Sequence, residues 1–273
     1  MITTRKNDVL YLRFDVDKLR DWNFNLGIFS DIHYDSVFCD RKLFKKHLDL
    51  CLQQNRKVFI NGDLLDLMQG RTDNRSSKSG LRTEYKTDAY VNSVVNDVCK
   101  FLKPYKDIIL AIGIGNHESK FTKWKDVDVI KLVGQNLGVP TMGYGGYIVL
   151  MVKYSNKVSS YKIKFNHGKG GSAPVTKGFI DQSRGRWAAY DMVTTGHTHY
   201  GWIFPHYKET FDKLLRVTEK LTWYVKTPSY QKKESGEGWT VENDFEPAPR
   251  GFASIDFHIL NDKIIAQPVL IVE

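Results

Sequence analysis

Long apolar runs and paired cysteines are both missing from the sequence. No stretch reaches the roughly 18 consecutive apolar residues that a membrane-spanning helix needs, so no such helix is expected. The first residues, MITTRKNDVLYLRFDVDK, lack the apolar core of an export signal. Only three cysteines occur, Cys39, Cys51 and Cys99, and none forms a C-x-x-C pair. These features exclude a disulfide scaffold and favour reduced thiols in a cytoplasmic protein.

Acidic residues are scarce outside one short segment. The chain contains 40 Lys and Arg against 31 Asp and Glu, a formal net charge of +9. Residues 234–246 (ESGEGWTVENDFE) hold five of the acids and no Lys or Arg, so the rest, with 40 bases and 26 acids, carries +14. Such an excess attracts polyanions, and a nucleic-acid partner is one interpretation. A solvated cationic surface is the other.

Short β-branched runs alternate with helical patterns along the first two thirds of the chain, which indicates an α/β domain. A helix over 40–55 has Asp40 as its predicted N-cap, and a helix over 122–138 has Gly138 as its predicted C-cap. A third helix is predicted over 87–105. The predicted strands cover 23–30, 56–62, 107–115, 161–168 and 190–196.

The closing third of the chain has a different pattern. Residues 220–230, 251–260 and 263–272 predict antiparallel strands, and a tight Asn-Asp turn joins the last two. No repeat or linker divides the chain, so we expect a single domain over 1–273.

Asp, Asn and His residues follow each of the five predicted strands of the α/β part. Residues at i and i+2 on a strand share one face, so His197 and His199 point to the same side. Ligands in open α/β sheets collect at the carboxyl ends of strands. Singly, each motif also fits a turn, a helix cap or a satisfied polar residue; together they predict a site for two metal ions. The motifs are SDIHYD (30–35), NGDLLD (61–66), GNHES (115–119), NHGKGG (166–171) and TTGHTH (194–199).

In this order the motifs resemble those of the calcineurin-like metallophosphoesterases. The family pattern D-x-H, G-D-x-x-D, G-N-H-E, H-G and G-H-x-H lies here between residues 31 and 199. The resemblance implies a central β-sandwich flanked by helices, within an α/β fold that ends in antiparallel strands. It also implies a metal-dependent phosphoesterase, in which a hydroxide bridging two metal ions attacks phosphorus in line.

Carried over motif by motif, the resemblance assigns a set of metal ligands. Mixed nitrogen and oxygen donors suit Mn²⁺, the expected metal, with Fe, Zn or Ni as alternatives. The implied ligands are Asp31, His33 and His199 for one metal, Asn116, His167 and His197 for the other, and Asp63 as the bridge.

The same motifs imply two catalytic residues outside the ligand set. His117 follows Asn116 and corresponds to the residue that protonates the leaving oxygen. Asp66 corresponds to the acid that pairs with that histidine and would raise its pKa. Asp35 and Glu118 are expected to support the ligand segments or to cap helices.

Departures from the family pattern bear on the substrate. The Ser/Thr protein phosphatases continue G-D-x-x-D with R-G and place Arg before G-N-H-E, whereas Leu67 and Ile114 stand at these positions. This favours the nuclease and phosphodiesterase branch, acting on nucleic acid, short single strands or cyclic nucleotides. The alternatives are a phosphomonoesterase and a catalytically inactive binding scaffold. No protein partner can be named.

Two basic segments are candidates for substrate binding. Residues 71–86 follow the strand that carries Asp63, and residues 168–186 link His167 to His197. Solvated loops are the alternative interpretation. Nearby aromatic side chains can stack on bases or lie in the core. The candidate basic residues are Arg75, Arg82, Lys169, Arg184 and Arg186. The aromatic residues are Tyr85, Phe179, Trp187, Tyr200 and Trp202.

Overall fold

The computed structural model describes residues 1–68, 80–170, 176–180, 190–212, 214–232 and 246–273. Twelve strands and four α-helices lie within these residues. The strands are β1 (Ile2–Lys6), β2 (Val9–Asp15), β3 (Asn23–Phe29), β4 (Lys57–Ile60), β5 (Ile109–Ile112), β6 (Gly145–Tyr154), β7 (Lys157–Asn166), β8 (Met192–Thr195), β9 (Trp202–Phe211), β10 (Val217–Lys226), β11 (Gly251–Leu260) and β12 (Lys263–Val272). The helices are α1 (Arg41–Gln53), α2 (Tyr90–Leu102), α3 (Asn116–Lys125) and α4 (Val129–Leu137).

The strands form two sheets. The five-stranded sheet has the order β12-β11-β3-β4-β5, and its β3, β4 and β5 are parallel. The seven-stranded sheet has the order β1-β2-β6-β7-β8-β10-β9, and β7, β8 and β10 are parallel within it. The two sheets flanked by helices confirm the expected mixed α/β class.

Two hydrophobic cores hold the layers together. One lies between the sheets, where Leu26 and Ile28 of β3 pack with buried side chains such as Ile148 and Ile163 of β6 and β7. The other lies between the five-stranded sheet and the helices, with Phe44 among its members. The alternation of buried and half-buried residues along β6 is what a strand with one face on a core requires.

The helix boundaries confirm two predictions and correct a third. Asp40 caps α1 by accepting a hydrogen bond from Leu43 N at 3.1 Å, and Gly138 ends α4 in the left-handed conformation. The single helix predicted over 122–138 is wrong. The chain turns at Asp126, with φ +54°, and Asp128 caps a new helix, so the segment is divided between α3 and α4.

The closing strands are largely as expected. β11 and β12 are antiparallel and are joined by Asn261 and Asp262, both with positive φ, the conformation of a type I′ turn. β10 differs, because it is antiparallel to β9 but parallel to β8. All three cysteines are free thiols, and Cys99 is half-buried. Among the described helices, none has the length and apolar character to cross a membrane.

Candidate metal centre

The carboxyl ends of strands from both sheets meet at one edge of the molecule. From the five-stranded sheet, β3 leads to Asp31 and His33, β4 to Asp63, and β5 to Asn116 at the start of α3. From the seven-stranded sheet, β7 leads to His167, and β8 to His197 and His199. Neighbouring parallel strands place their ends side by side, which is why residues so distant in sequence come together.

Three of these side chains form a first cluster: Asp31, His33 and His199. One ligand atom from each lies within 4.8 Å of the others. His199 Nε2 is 3.5 Å from Asp31 Oδ1, and the rings of His33 and His199 are 5.3 Å apart. Asp31 and His33 are buried, and His199 is 30% exposed.

A second cluster consists of Asp63, His167 and His197, whose ligand atoms also lie within 4.8 Å of one another. Asn116 belongs with them, because its Oδ1 is 3.0 Å from His167 Nε2 and 2.7 Å from His197 Nδ1. Asp63 Oδ2 is 3.1 Å from His167 Nε2 and 3.8 Å from His33 Nε2. Asp63 therefore lies between the two clusters, as a bridging carboxylate must.

Three of the four histidines are held by their outer nitrogens. His33 Nδ1 donates to Asp66 Oδ1 at 2.9 Å, His167 Nδ1 to Asn61 O at 2.8 Å, and His197 Nε2 to Gly170 O at 2.9 Å. Carboxylate and carbonyl oxygens only accept, so each of these nitrogens carries the hydrogen. In the neutral ring the opposite nitrogen keeps its lone pair and faces the cluster, which is how protein histidines are oriented toward metals.

One atom of the cluster has no partner within the described part of the chain. His33 Nε2 is fully buried and makes no hydrogen bond. A buried polar nitrogen without a partner is costly in either protonation state. A divalent cation in the first cluster would satisfy this nitrogen, so the donor set fits a metal.

Burial and charge shift the pKa values of His33 and His167 in opposite directions. Burial lowers the pKa of His33, but the hydrogen bond to Asp66 and the charges of Asp63, Asp66 and Asp31 raise it to about 9. Burial likewise lowers the pKa of His167, while Asp63 and Asp31 raise it to about 10. The charge of the buried carboxylates thus stabilises cations in this place. This positive charge can be supplied by protons on the imidazole rings or by bound divalent ions.

The carboxylate of Glu118 supports two ligand segments. It is 1% exposed and accepts hydrogen bonds from Asp63 N at 3.1 Å, Leu65 N at 3.0 Å and Gly115 N at 2.8 Å. Glu118 therefore ties the segment of Asp63 to the segment of Asn116, the supporting role expected from the sequence.

Asp35 supports the segment that follows. It is 1% exposed and accepts from Asp66 N at 2.6 Å, from Leu67 N at 3.1 Å and from the hydroxyl of Tyr90. Leu67 has a φ of +52°, which is uncommon for a side chain of this kind. The two backbone hydrogen bonds hold this strained segment in place, and the Tyr90 hydroxyl holds the Asp35 carboxylate.

His117 and Asp66 are neighbours, but through a different atom than expected. His117 Nδ1 donates to the backbone carbonyl of Asp66 at 2.6 Å. The Asp66 carboxylate lies 3.5 Å from that nitrogen and instead accepts from His33 Nδ1. His117 Nε2 points toward the clusters and is 3.9 Å from Asp63 Oδ2. One residue, Asp66, thus orients both His33 and His117.

Most of the ligand candidates have an unusual backbone. Positive φ values at non-glycine residues are sparse in proteins and concentrate at functional sites. No sequence signal marked these positions in advance. The affected candidates are Asp31 (+53°), His33 (+49°), Asp63 (+48°), His197 (+73°) and His199 (+63°).

The substrate-binding candidates lie in different surroundings. Arg82 is half-buried and donates from Nε to Ser36 O and from Nη2 to Cys39 O, both at 2.9 Å, so it braces the segment before α1. Lys169 is exposed two residues after His167. Arg75, Arg184 and Arg186 lie outside the described residues.

Comparisons with known proteins are weak. No family model and no curated protein matches the chain. Among solved structures, vacuolar protein sorting 29 from Cryptosporidium parvum is 13% identical, with 93% of this chain and 100% of that chain covered and a TM-score of 0.39. GAP50 of Plasmodium is 8% identical (91% and 84% covered, TM-score 0.38). A metallophosphoesterase from Sphaerobacter thermophilus is 8% identical (90% and 88% covered, TM-score 0.32). These values assign neither a family nor an activity to the chain.

Proposed function

We propose that the protein is a phosphoesterase that works with two divalent cations and hydrolyses phosphodiesters of nucleotides or nucleic acid. The observation that carries the proposal is the convergence of seven side chains on two clusters that share Asp63. Paired cation sites of this kind are typical of phosphoryl-transfer hydrolases.

Each cation has a donor set in this proposal. Asp31, His33 and His199 hold one cation, and Asn116, His167 and His197 hold the other. Asp63 is shared between the two. Imidazole, carboxylate and amide donors favour Mn²⁺, Fe, Zn or Ni over Mg²⁺. The chemistry supplied by such cations, when bound, is Lewis acidity, which makes water acidic and draws charge from phosphoryl oxygens.

His117 is the proposed proton donor to the leaving oxygen. Its Nδ1 is committed to the Asp66 carbonyl, so Nε2 is the atom that gains and loses a proton. That atom faces the clusters, and the side chain is 12% exposed. Asp66 fixes the ring by this contact and holds His33 by its carboxylate.

The preference for nucleotide diesters is supported by charge. The chain carries a net +9, and Lys169 is exposed two residues after His167 of the second cluster. Anionic chains are attracted to such a surface, and each phosphate contact releases counterions. Activity on a nucleic acid should therefore fall steeply as salt is added.

The test is hydrolysis by the purified protein in Mn²⁺. Rates on bis-p-nitrophenyl phosphate and p-nitrophenyl phosphate are compared first, and then rates on labelled single-stranded DNA, duplex DNA, RNA and cyclic nucleotides. A chelator-stripped sample and a His258→Asn variant serve as controls, because His258 pairs with Asn23 at the opposite end of β3.

Three outcomes are distinct. Diester hydrolysis that requires metal and weakens with salt supports the proposal. Salt-insensitive activity confined to the monoester replaces it with a phosphomonoesterase. Absence of turnover on every substrate, with metal bound, identifies an inactive scaffold and overturns the proposal.

A further inference from the structure

Aromatic side chains beside the metal centre differ in what they offer to a ligand. Tyr85 and Tyr200 are 2% and 7% exposed and belong to the interior. Phe179 is 36% exposed, and Trp202 is half-buried. Trp187 lies outside the described residues. Of the described aromatic candidates, Phe179 and Trp202 therefore retain accessible surface for stacking.

Phe179 and Trp202 contact each other and form what we call the aromatic platform. Their ring centroids are 4.9 Å apart, with planes inclined by 33°. Phe204 supports Phe179 from the edge, at 5.1 Å. Trp202 Nε1 donates to Lys177 O at 2.9 Å, which ties the indole to the segment that carries Phe179. The platform is thus a fixed surface, and stacking on it requires little ordering.

The platform adjoins the metal centre. Trp202 follows His199 by three residues and begins β9. Gly178, next to Phe179, packs against the loop of His197 and His199: a Cβ atom at this position would lie 2.6 Å from Thr198 Oγ1. Its φ of +75° also favours glycine. The residue before Phe179 therefore contacts the loop that carries His197 and His199.

We infer that the aromatic platform is a nucleobase subsite, in which a base next to the scissile phosphate stacks on the open face of the Phe179–Trp202 pair. This inference rests on the proposed function. Stacking between a base and an aromatic side chain tolerates every base, because all bases present a π face. The subsite thus confers preference for nucleotide esters over simple diesters without reading sequence.

The experiment compares two Mn²⁺-dependent reactions with the same leaving group. Thymidine 5′-p-nitrophenyl phosphate carries a base, and methyl p-nitrophenyl phosphate does not. The measured quantity is the ratio of the two kcat/KM values. We expect this ratio to fall about 10-fold in Trp202→Ala and in Phe179→Ala, and to be largely retained in Trp202→Phe. Phe211→Ala is the matched control, since Phe211 is 67% exposed at the far end of β9.

A second measurement does not depend on turnover. AMP and ribose 5-phosphate are titrated in Mn²⁺ by calorimetry, and the base should improve affinity about 10-fold in the wild type but not in Trp202→Ala. Equal affinities in the wild type, or a kcat/KM ratio unchanged in both alanine variants, would overturn the subsite. A base-dependent affinity without hydrolysis of either ester would instead retain the subsite and remove the proposed activity.

Discussion

The two sheets supply the candidate metal centre in different ways. The five-stranded sheet contributes Asp31, His33, Asp63 and Asn116, and carboxylates hold these segments: half-buried Asp66 binds His33, and buried Glu118 ties Asp63 to the start of α3. The seven-stranded sheet contributes three histidines, and backbone carbonyls hold two of them, His167 and His197.

Carboxylate and carbonyl partners have different effects on the candidate metal centre. Carboxylates add negative charge, which favours cations and fixes their ligands. Carbonyls orient the rings without adding charge, and the same side of the molecule carries the aromatic platform of Phe179 and Trp202. We therefore expect changes at the carboxylates of the five-stranded half to affect metal binding and turnover. Changes in the seven-stranded half outside its three histidines should affect substrate preference or the hydrogen bonds that join the sheets.

The largest effect is expected at Asp63, the side chain that both clusters share. At about 100 times its Kd, Mn²⁺ stabilises a protein that binds it only when folded by about 2.7 kcal/mol. Asp63→Asn replaces the shared anion with a neutral amide, so both this stabilisation and diester hydrolysis should be lost. Thermal unfolding with and without Mn²⁺ measures the first, with Asp15→Asn as a control at an exposed carboxylate. A full Mn²⁺-dependent shift in Asp63→Asn would remove Asp63 from the metal centre.

His117 provides the next largest effect and separates catalysis from metal binding. Its Nδ1 donates to the Asp66 carbonyl and its Nε2 faces Asp63. His117 is not among the proposed ligands. His117→Asn should lower kcat by about 100-fold, as the loss of a general acid does, with metal content unchanged. Elemental analysis and steady-state kinetics check both parts, against His258→Asn. Loss of one metal equivalent would instead make His117 a ligand, since it also lies within 4.8 Å of His33 and Asp63 atoms.

The sequence predicted which side chains of this half meet, but not how they pair. Motif order along strand ends was sufficient to bring Asp31, Asp63 and Asn116 together, because parallel neighbours share an edge. The partner of Asp66 was not predictable, since its carboxylate lies 2.9 Å from His33 Nδ1 and 3.5 Å from His117 Nδ1. A difference below 1 Å depends on packing, not on residue spacing. The metal-binding role itself remains a prediction.

In the fold as well, the pairing of distant segments was not predictable. Strand and helix patterns are local, so β3, β4 and β5 and the core face of α1 were predictable. Sheet membership is not local: β2 pairs with β6 across more than a hundred residues. Strands β6 and β9 were not predicted at all. The break at Asp126 was missed because the apolar spacing runs through it, although Asp128 ahead of VIKL was an available cap signal.

Asp35 should give a smaller effect within the five-stranded half. It acts on the two histidines only through Asp66, by accepting from the backbone of Asp66 and Leu67. Asp35→Asn places an amide N–H against these donors and should reduce kcat by about 10-fold, the lower range for groups that orient ligands. Tyr90→Phe removes one of the three contacts and should cost less. A reduced kcat with unchanged KM and metal content would support a positioning role for Asp35. The control is Tyr11→Phe, at a half-buried tyrosine of β2, and an equal loss of kcat in this variant would contradict that role.

The smallest effect is expected where the two halves join. Thr227, fully buried after β10, donates to Thr195 O at 3.0 Å and lies 2.8 Å from Ser30 Oγ, which itself contacts the Asp31 carboxylate. Thr227→Val keeps the shape but removes the hydroxyl, so unfolding free energy should fall by about 1 kcal/mol and Tm by about 2–4 °C. Thr218→Val is the control within β10 itself, because its hydroxyl makes an exposed 3.3 Å contact. If both variants melt together with the wild type, the hydroxyl chain does not hold the sheets, and the hydrophobic core between them is sufficient to join them.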